Sequence, residues 1–226
     1  MDFSINSDHE AIRKGVSDVV RRFGDDYWLQ RDEDGNFPTD FHRAMAEGGW
    51  LGLTMPEEYG GSGLGVTEAM CMMHEVASFG GGMAAASTVH INLFGPHPIV
   101  VFGTPEQKRR WVPSLIAGTD QCCFGVTEPD AGLNTAAIKT FAQKSPGGYQ
   151  VRGQKVWTST AQVANKIMLL ARTTRVEDCK RPTDGISLFY TDLNRSRIDV
   201  KRIAKMGRKA VDSNAIFIDD LFVPEG

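Results

Sequence analysis

Cysteine is scarce in this chain, and none of it is spaced for a metal or a redox pair. Cys71, Cys122, Cys123 and Cys179 form no C-x-x-C unit. That argues against a zinc ribbon or a disulfide framework and leaves buried free thiols as the expectation. The five histidines, His9, His42, His74, His90 and His97, make no ligand-spaced pair with a third donor nearby, so no metal site is expected. There is no G-x-S-x-G elbow for a serine nucleophile. No apolar run is long enough to cross a bilayer, so membrane insertion is not expected. The opening residues, MDFSINSDHEAIRKG, lack the basic-then-apolar pattern of a secretion signal, which points to a cytoplasmic, reducing setting. Charge of one sign is also lacking: the net value is −3, with no electrostatic footprint for nucleic acid. What is present, 41% hydrophobic and 23% charged residues, is the composition of a globular chain with ample material for a core.

The chain has two halves with two periods. In the first, Ser7 and Glu10 have capping-box spacing, and Ile12, Val16, Val19, Val20 and Phe23 follow on one helical face. A second helix is expected from near Thr39 to Gly48-Gly49, a third over 67–79, and a fourth beginning at MAAASTVHINL. A fifth opens with Thr104 as N-cap, Pro105 at the first helical position and Gln107 closing a capping box, and Pro113 is expected to kink or end it. After about Gln121 the pattern turns to short strands: GYQVRGQKVWTST, KIMLLART, GISLFYTDL and NAIFIDDLFV. Gly147-Gly148 marks a hairpin turn. The expected fold class is α+β and multidomain: an all-helical domain over 1–120, then an antiparallel β-sandwich or barrel over 121–226.

YGGSGLG, residues 59–65, looks like a dinucleotide loop but has helical sequence before it and alternating glycines, so it reads as a loop between helices. Two other stretches matter more. GVTEPDAGLNT, residues 125–135, reads alone as a turn, with Pro129 presetting φ and Gly132 tolerating a positive one. Glu128, beside Pro129, reads as structural. GQKVWTSTAQVANKIMLLART, residues 153–173, offers Trp157, which read alone is a core anchor. Taken together they supply a flat apolar wall, hydroxyls on Thr127 and Ser159, and a glycine-containing bend whose amides can approach an anion. A tricyclic flavin requires that combination.

These two stretches, with MPEEYGGSGLG, FGTPEQKRRWVPSLIAG and KMGRKAVDSNAIFIDDLFVPEG, resemble the acyl-CoA dehydrogenases, a family of FAD flavoproteins. The resemblance implies that Phe124 and Val126 line the flavin ring and Thr127 bonds its pyrimidine edge. It implies that Gly132 and the amide of Leu133 approach the pyrophosphate, that Trp157 packs on the ring, and that Thr158 and Ser159 bond near its N5. The chain departs from the family in having Leu133-Asn134 where serine and aspartate are usual, and Ser159 where threonine is usual. It stops where the family's C-terminal helical domain would begin. That domain is implied to hold the catalytic glutamate, so no catalytic base is assigned within residues 1–226. The implied partners are an acyl-CoA substrate and an electron-transferring flavoprotein, with the full-length protein a homotetramer or homodimer. Alternatives are an acyl-CoA oxidase, a flavin monooxygenase or nitroalkane oxidase on the same scaffold, and a non-catalytic binding protein.

Overall fold

The computed structural model describes residues 6–225. The chain divides into two compact units. One is the chain up to Asp120 together with Lys205–Val211, and the other is Gln121–Ala204 with the segment from Asp212 onward.

The first unit is helical: α1 (Ser7–Val20), α2 (Asp25–Asp34), α3 (Thr39–Glu47), α4 (Val66–Ala77), α5 (Gly82–Phe94), α6 (His97–Phe102) and α7 (Pro105–Ile116). Asn6, not Ser7, caps α1, its side chain accepting from the His9 amide at 2.8 Å. The α7 capping box is the one expected. The Thr104 amide donates to Gln107 at 2.9 Å, and the Gln107 amide to Thr104 Oγ1 at 3.2 Å. Pro113 does not end that helix, which runs on to Ile116. Stretch 59–65 is a loop leading into α4, with no strand before it.

The core of this unit gathers Val16 and Val20 of α1, Phe41 and Met45 of α3, Met72 and Val76 of α4 and Val89 of α5. Phe41 sits edge-on to Phe23 at 5.3 Å and to Trp28 at 5.0 Å. His42, the next residue, is buried, and burial pushes its imidazole below the usual histidine range. The segment Lys205–Val211 lies in sequence between strands yet belongs to this unit. The Lys209 amide donates to Asp32 at 2.7 Å, and Arg208 to Ser87 Oγ at 2.6 Å.

The second unit is a seven-stranded sheet: β1 (Cys122–Gly125), β2 (Phe141–Ser145), β3 (Gly148–Ser159), β4 (Lys166–Arg172), β5 (Ile186–Asp192), β6 (Ile198–Arg202) and β7 (Ser213–Pro224). The order is β1-β4-β2-β3-β7-β6, with β5 on β4. Gly147, at φ +78°, turns the β2–β3 hairpin where the sequence placed it. The helical-then-β architecture is the expected one, but the sheet is mixed. β1 pairs Lys166 to Leu169 of β4 in parallel, and β2 begins parallel to β4 at Phe141 opposite Arg172. The two strands lie end to end along one edge of β4. The chain leaves that edge after β1 and returns to it at β2, so both run the same way. Alternation within a strand carries no information about the direction of its neighbour. The excursion is residues 126–140, and it carries the TEPDAG stretch.

Phe41 has no solvent exposure. Phe41→Ala is therefore expected to destabilise the helical unit by about 3–5 kcal/mol. Leu29→Ala, on a side chain 60% exposed, should stay within about 0.5 kcal/mol. Urea unfolding followed by helical circular dichroism checks both.

Candidate functional site

The loop 126–140 is held to the sheet by a buried charge pair. Lys155 of β3 and Glu128 of the loop meet at 2.9 Å with side chains 0% and 5% exposed. Lys155 Nζ also donates to the Val126 carbonyl at 3.0 Å. Glu128 takes the amides of Lys139 at 2.6 Å and Thr140 at 2.9 Å. Gly125 makes room for this: a Cβ there would lie 3.4 Å from Lys155 Cγ and 3.3 Å from both Ile167 and Leu169 side chains. Burial alone would raise the Glu128 carboxyl. The hydrogen bonds from Thr140, the Lys139 amide and Lys155 outweigh it and hold the group below the usual carboxylate range. Burial lowers the Lys155 ammonium, and Glu128 offsets part of that. A carboxylate so enclosed and so occupied is structural, not a base available to a ligand.

The far end of the loop is held by Arg172 of β4, itself buried. Its guanidinium donates to the carbonyls of Ile138 and Asp184, each at 3.1 Å, and to those of Ala136 and Pro182. Between these anchors, Glu128 and Ala131 exchange backbone hydrogen bonds across a tight Pro129-Asp130 corner. The tip then projects into solvent. Gly132 and Asn134 are exposed, and the Leu133 side chain is fully so. Gly132 is not at positive φ, contrary to the turn reading, and nothing lies within 4 Å of where its Cβ would sit. Neither backbone nor packing within the chain requires a glycine there.

β3 passes beside the loop. The Val156 amide donates to the Thr127 carbonyl at 2.8 Å, so the two sequence stretches meet within one unit. At this point β3 has a bulge against β7: Lys155 pairs with Ile216, but Thr158 pairs with Asn214. Trp157 falls in the bulge at φ +62°. That conformation costs a bulky residue about 1–3 kcal/mol and is kept only where the surroundings impose it. The bulge turns the indole outward, leaving it 62% exposed. Trp157 is therefore no core anchor.

Phe124, Val126, Thr127 and Ser159 are half-buried near this segment. Thr158 is different. Its side chain is 1% exposed, and among the described residues its hydroxyl has no hydrogen-bond partner. The bulge leaves Trp157 exposed and Thr158 buried. Sequence reading missed Lys155, Arg172, Asp212 and Asn214. Of these, only Arg172, which closes the apolar run 167–171, carried a signal, since Lys155 stands among Gln150, Arg152 and Gln154. No metal-holding cluster occurs among the described residues, and no helix there is long and apolar enough to cross a membrane.

A helical unit joined to a mixed β unit, with a projecting loop set beside an exposed tryptophan, defines the class. Models of the acyl-CoA dehydrogenase N-terminal domain and middle domain match residues 6–119 and 123–221. The chain belongs to the acyl-CoA dehydrogenase family. It is 28% identical to the acyl-CoA dehydrogenase FadE12 of Mycobacterium tuberculosis, over 98% of this chain and 56% of that protein. It is 31% identical to the mitochondrial isovaleryl-CoA dehydrogenase of Arabidopsis thaliana, over 86% of this chain and 47% of that protein. Among solved structures it resembles a glutaryl-coenzyme A dehydrogenase in complex with glutaryl-CoA, with a TM-score of 0.91 and 28% identity, over 100% of this chain and 57% of that one. The chain thus spans about half the length of these relatives.

Removing one partner of the buried pair leaves the other charge stranded. Lys155→Met and Glu128→Gln are each expected to destabilise the β unit by about 3–5 kcal/mol, and the double variant to recover part of that loss. The pH dependence has a definite sign. Glu128 is depressed in the folded state, so its contribution is present above the unfolded carboxyl value near ~4.3 and is lost as pH falls through the folded value. Thermal unfolding between pH 7 and pH 3 should show a steeper acid loss in wild type than in Glu128→Gln. Equal slopes would contradict the assignment.

Proposed function

We propose that this chain is the N-terminal and middle portion, domains 1–120 and 121–226, of an FAD-dependent enzyme that removes the α and β hydrogens of an acyl-CoA thioester. The observation that carries the flavin reading is the exposed indole of Trp157, held at a strained φ one residue from the Thr127 contact. The residues present fit the group. Gly132 stands in open space where a Cβ would obstruct only a ligand, and the loop tip is otherwise free of packing. Phe124 and Val126 would line the ring and Thr127 would bond its polar edge. Gly132 and the Leu133 amide would approach the pyrophosphate. Trp157 would pack on the ring, with the Ser159 hydroxyl beside it. Thr158, whose buried hydroxyl has no partner among the described residues, would bond near the flavin N5.

When bound, FAD supplies the hydride acceptor. This chain's residues bind and orient it and shield one face from water. Leu133 offers no side-chain hydrogen bond, so the anion contact at that position rests on amides alone. No residue from 1 to 226 is assigned as the base, Glu128 being enclosed by its own donors. The substrate is an acyl-CoA, the electron acceptor an electron-transferring flavoprotein, and the full-length enzyme a homo-oligomer. Four free cysteines fit a reducing, cytoplasmic setting.

The 226-residue chain is expected to bind FAD weakly, and Trp157→Ala to weaken it at least tenfold further, read by quenching of flavin fluorescence. With octanoyl-CoA or isobutyryl-CoA and an artificial acceptor it should show no turnover, since a missing general base alone costs ~10²–10⁴ in rate. Steady turnover would overturn the placement of the base outside this chain. An affinity indifferent to Trp157→Ala would overturn the flavin site.

A further inference from the structure

Trp157 is not the only strained residue in its segment. Thr160, a β-branched residue three positions on, also has φ +62°. Two such residues this close together require an external restraint, and the start of β7 provides one. Asn214 is fully buried and Asp212 nearly so. Asn214 Nδ2 donates to the Thr158 carbonyl at 2.9 Å and to Asp212 Oδ2. Its Oδ1 accepts from Gln162 Nε2 at 2.8 Å. Asp212 Oδ2 accepts the Gln162 amide at 3.2 Å, and the Asp212 carbonyl accepts the Thr160 amide at 3.4 Å. The strained segment is thus pinned at Thr158 and Gln162 by the Asn214 and Asp212 side chains, and at Thr160 by the Asp212 carbonyl. Lys155 and Glu128 fix the residues before Trp157, and this network fixes those after it.

We propose that Asp212 and Asn214 are positioning residues for the ligand face formed by Trp157 and Ser159: they hold the strained backbone that presents the indole and the hydroxyl, and act only through it. The consequence for FAD rests on the flavin reading given above. The restraint on Trp157 does not.

The test uses the 226-residue chain labelled with 5-fluorotryptophan, the Trp157 resonance being assigned with Trp157→Phe. Wild type is expected to give one Trp157 line. Asn214→Ala should split or broaden it while the lines of Trp28, Trp50 and Trp111 stay in place, and Asp212→Asn should act in the same direction. Adding Thr160→Gly to Asn214→Ala should restore a single line, because glycine takes positive φ without a steric penalty. A Trp157 line unmoved by Asn214→Ala, or a split line that Thr160→Gly does not restore, overturns the proposal. If Asn214→Ala does not fold, Gln162→Ala, which removes one bond to the same Asn214 oxygen, is read against the same two outcomes. FAD titration separates the two ideas: wild type that binds no FAD sinks the flavin reading while the Trp157 line still decides the restraint. If wild type binds, Asn214→Ala should weaken FAD at least fivefold without altering the helical unit's spectrum.

Discussion

The buried contact between Lys155 and Glu128 is the constraint on which the geometry of the loop 126–140 beside β3 depends. A lone lysine on an interior strand face would be costly, and a lone carboxylate under a loop equally so. Paired, they consume each other's charge, and the spare hydrogen-bonding capacity goes to the backbone: the Val126 carbonyl on one side, the Lys139 and Thr140 amides on the other. A residue that begins the excursion and two that end it are tied to one point on β3. Such a pair adds little net stability over an apolar replacement. What it contributes here is register. The loop from β1 to β2 can close over β3 in only one way, and that closure brings the Thr127 carbonyl to the Val156 amide.

The parts of the fold legible in the sequence were those with local causes. The Thr104–Gln107 capping box satisfies two amides within four residues, so spacing alone specifies it. The hairpin turn marked by Gly147-Gly148 is similar. Helix α2, by contrast, was not read. Its sequence DDYWLQRDED buries only Trp28, so it lacks the repeating apolar face that marks a helix. The short α6 and the parallel pairing of β1 with β4 were equally silent. The first is too brief for periodicity, and the second depends on where a loop returns rather than on any residue within a strand.

The site was legible at the level of segments and less so at the level of side chains. Period-2 reasoning handles a regular strand, but a bulge resets it. Trp157 taken alone reads as a core anchor, whereas the family resemblance gives both Trp157 and Thr158 to the flavin. The bulge between Lys155 and Thr158 leaves the indole exposed, against the core-anchor reading, and the threonine buried. No glycine announces the bulge, because the positive φ is taken by tryptophan itself. The signal lay instead in partners far along the chain: Glu128 before it and Asn214 after it.

An exposed tryptophan at positive φ therefore follows from its tethers rather than from the preference of its own residue type. Val156 is bonded to Thr127, Lys155 to Glu128 and Val126, and Thr158 to Asn214. Any relaxation of Trp157 toward ordinary strand geometry would shift the pairing by one residue. It would move Lys155 off Glu128 or Thr158 off Asn214, leaving a buried ion or a buried amide without its partner. Stranding the ion, at about 3–5 kcal/mol, costs at least as much as the strain of about 1–3 kcal/mol that relaxing Trp157 would relieve, and stranding the amide, at about 1–3 kcal/mol, is of the same order. That balance makes the indole's exposure a property of the folded β unit, set by its tethers. An aromatic surface formed in advance loses less freedom on binding than one that must be ordered by its ligand.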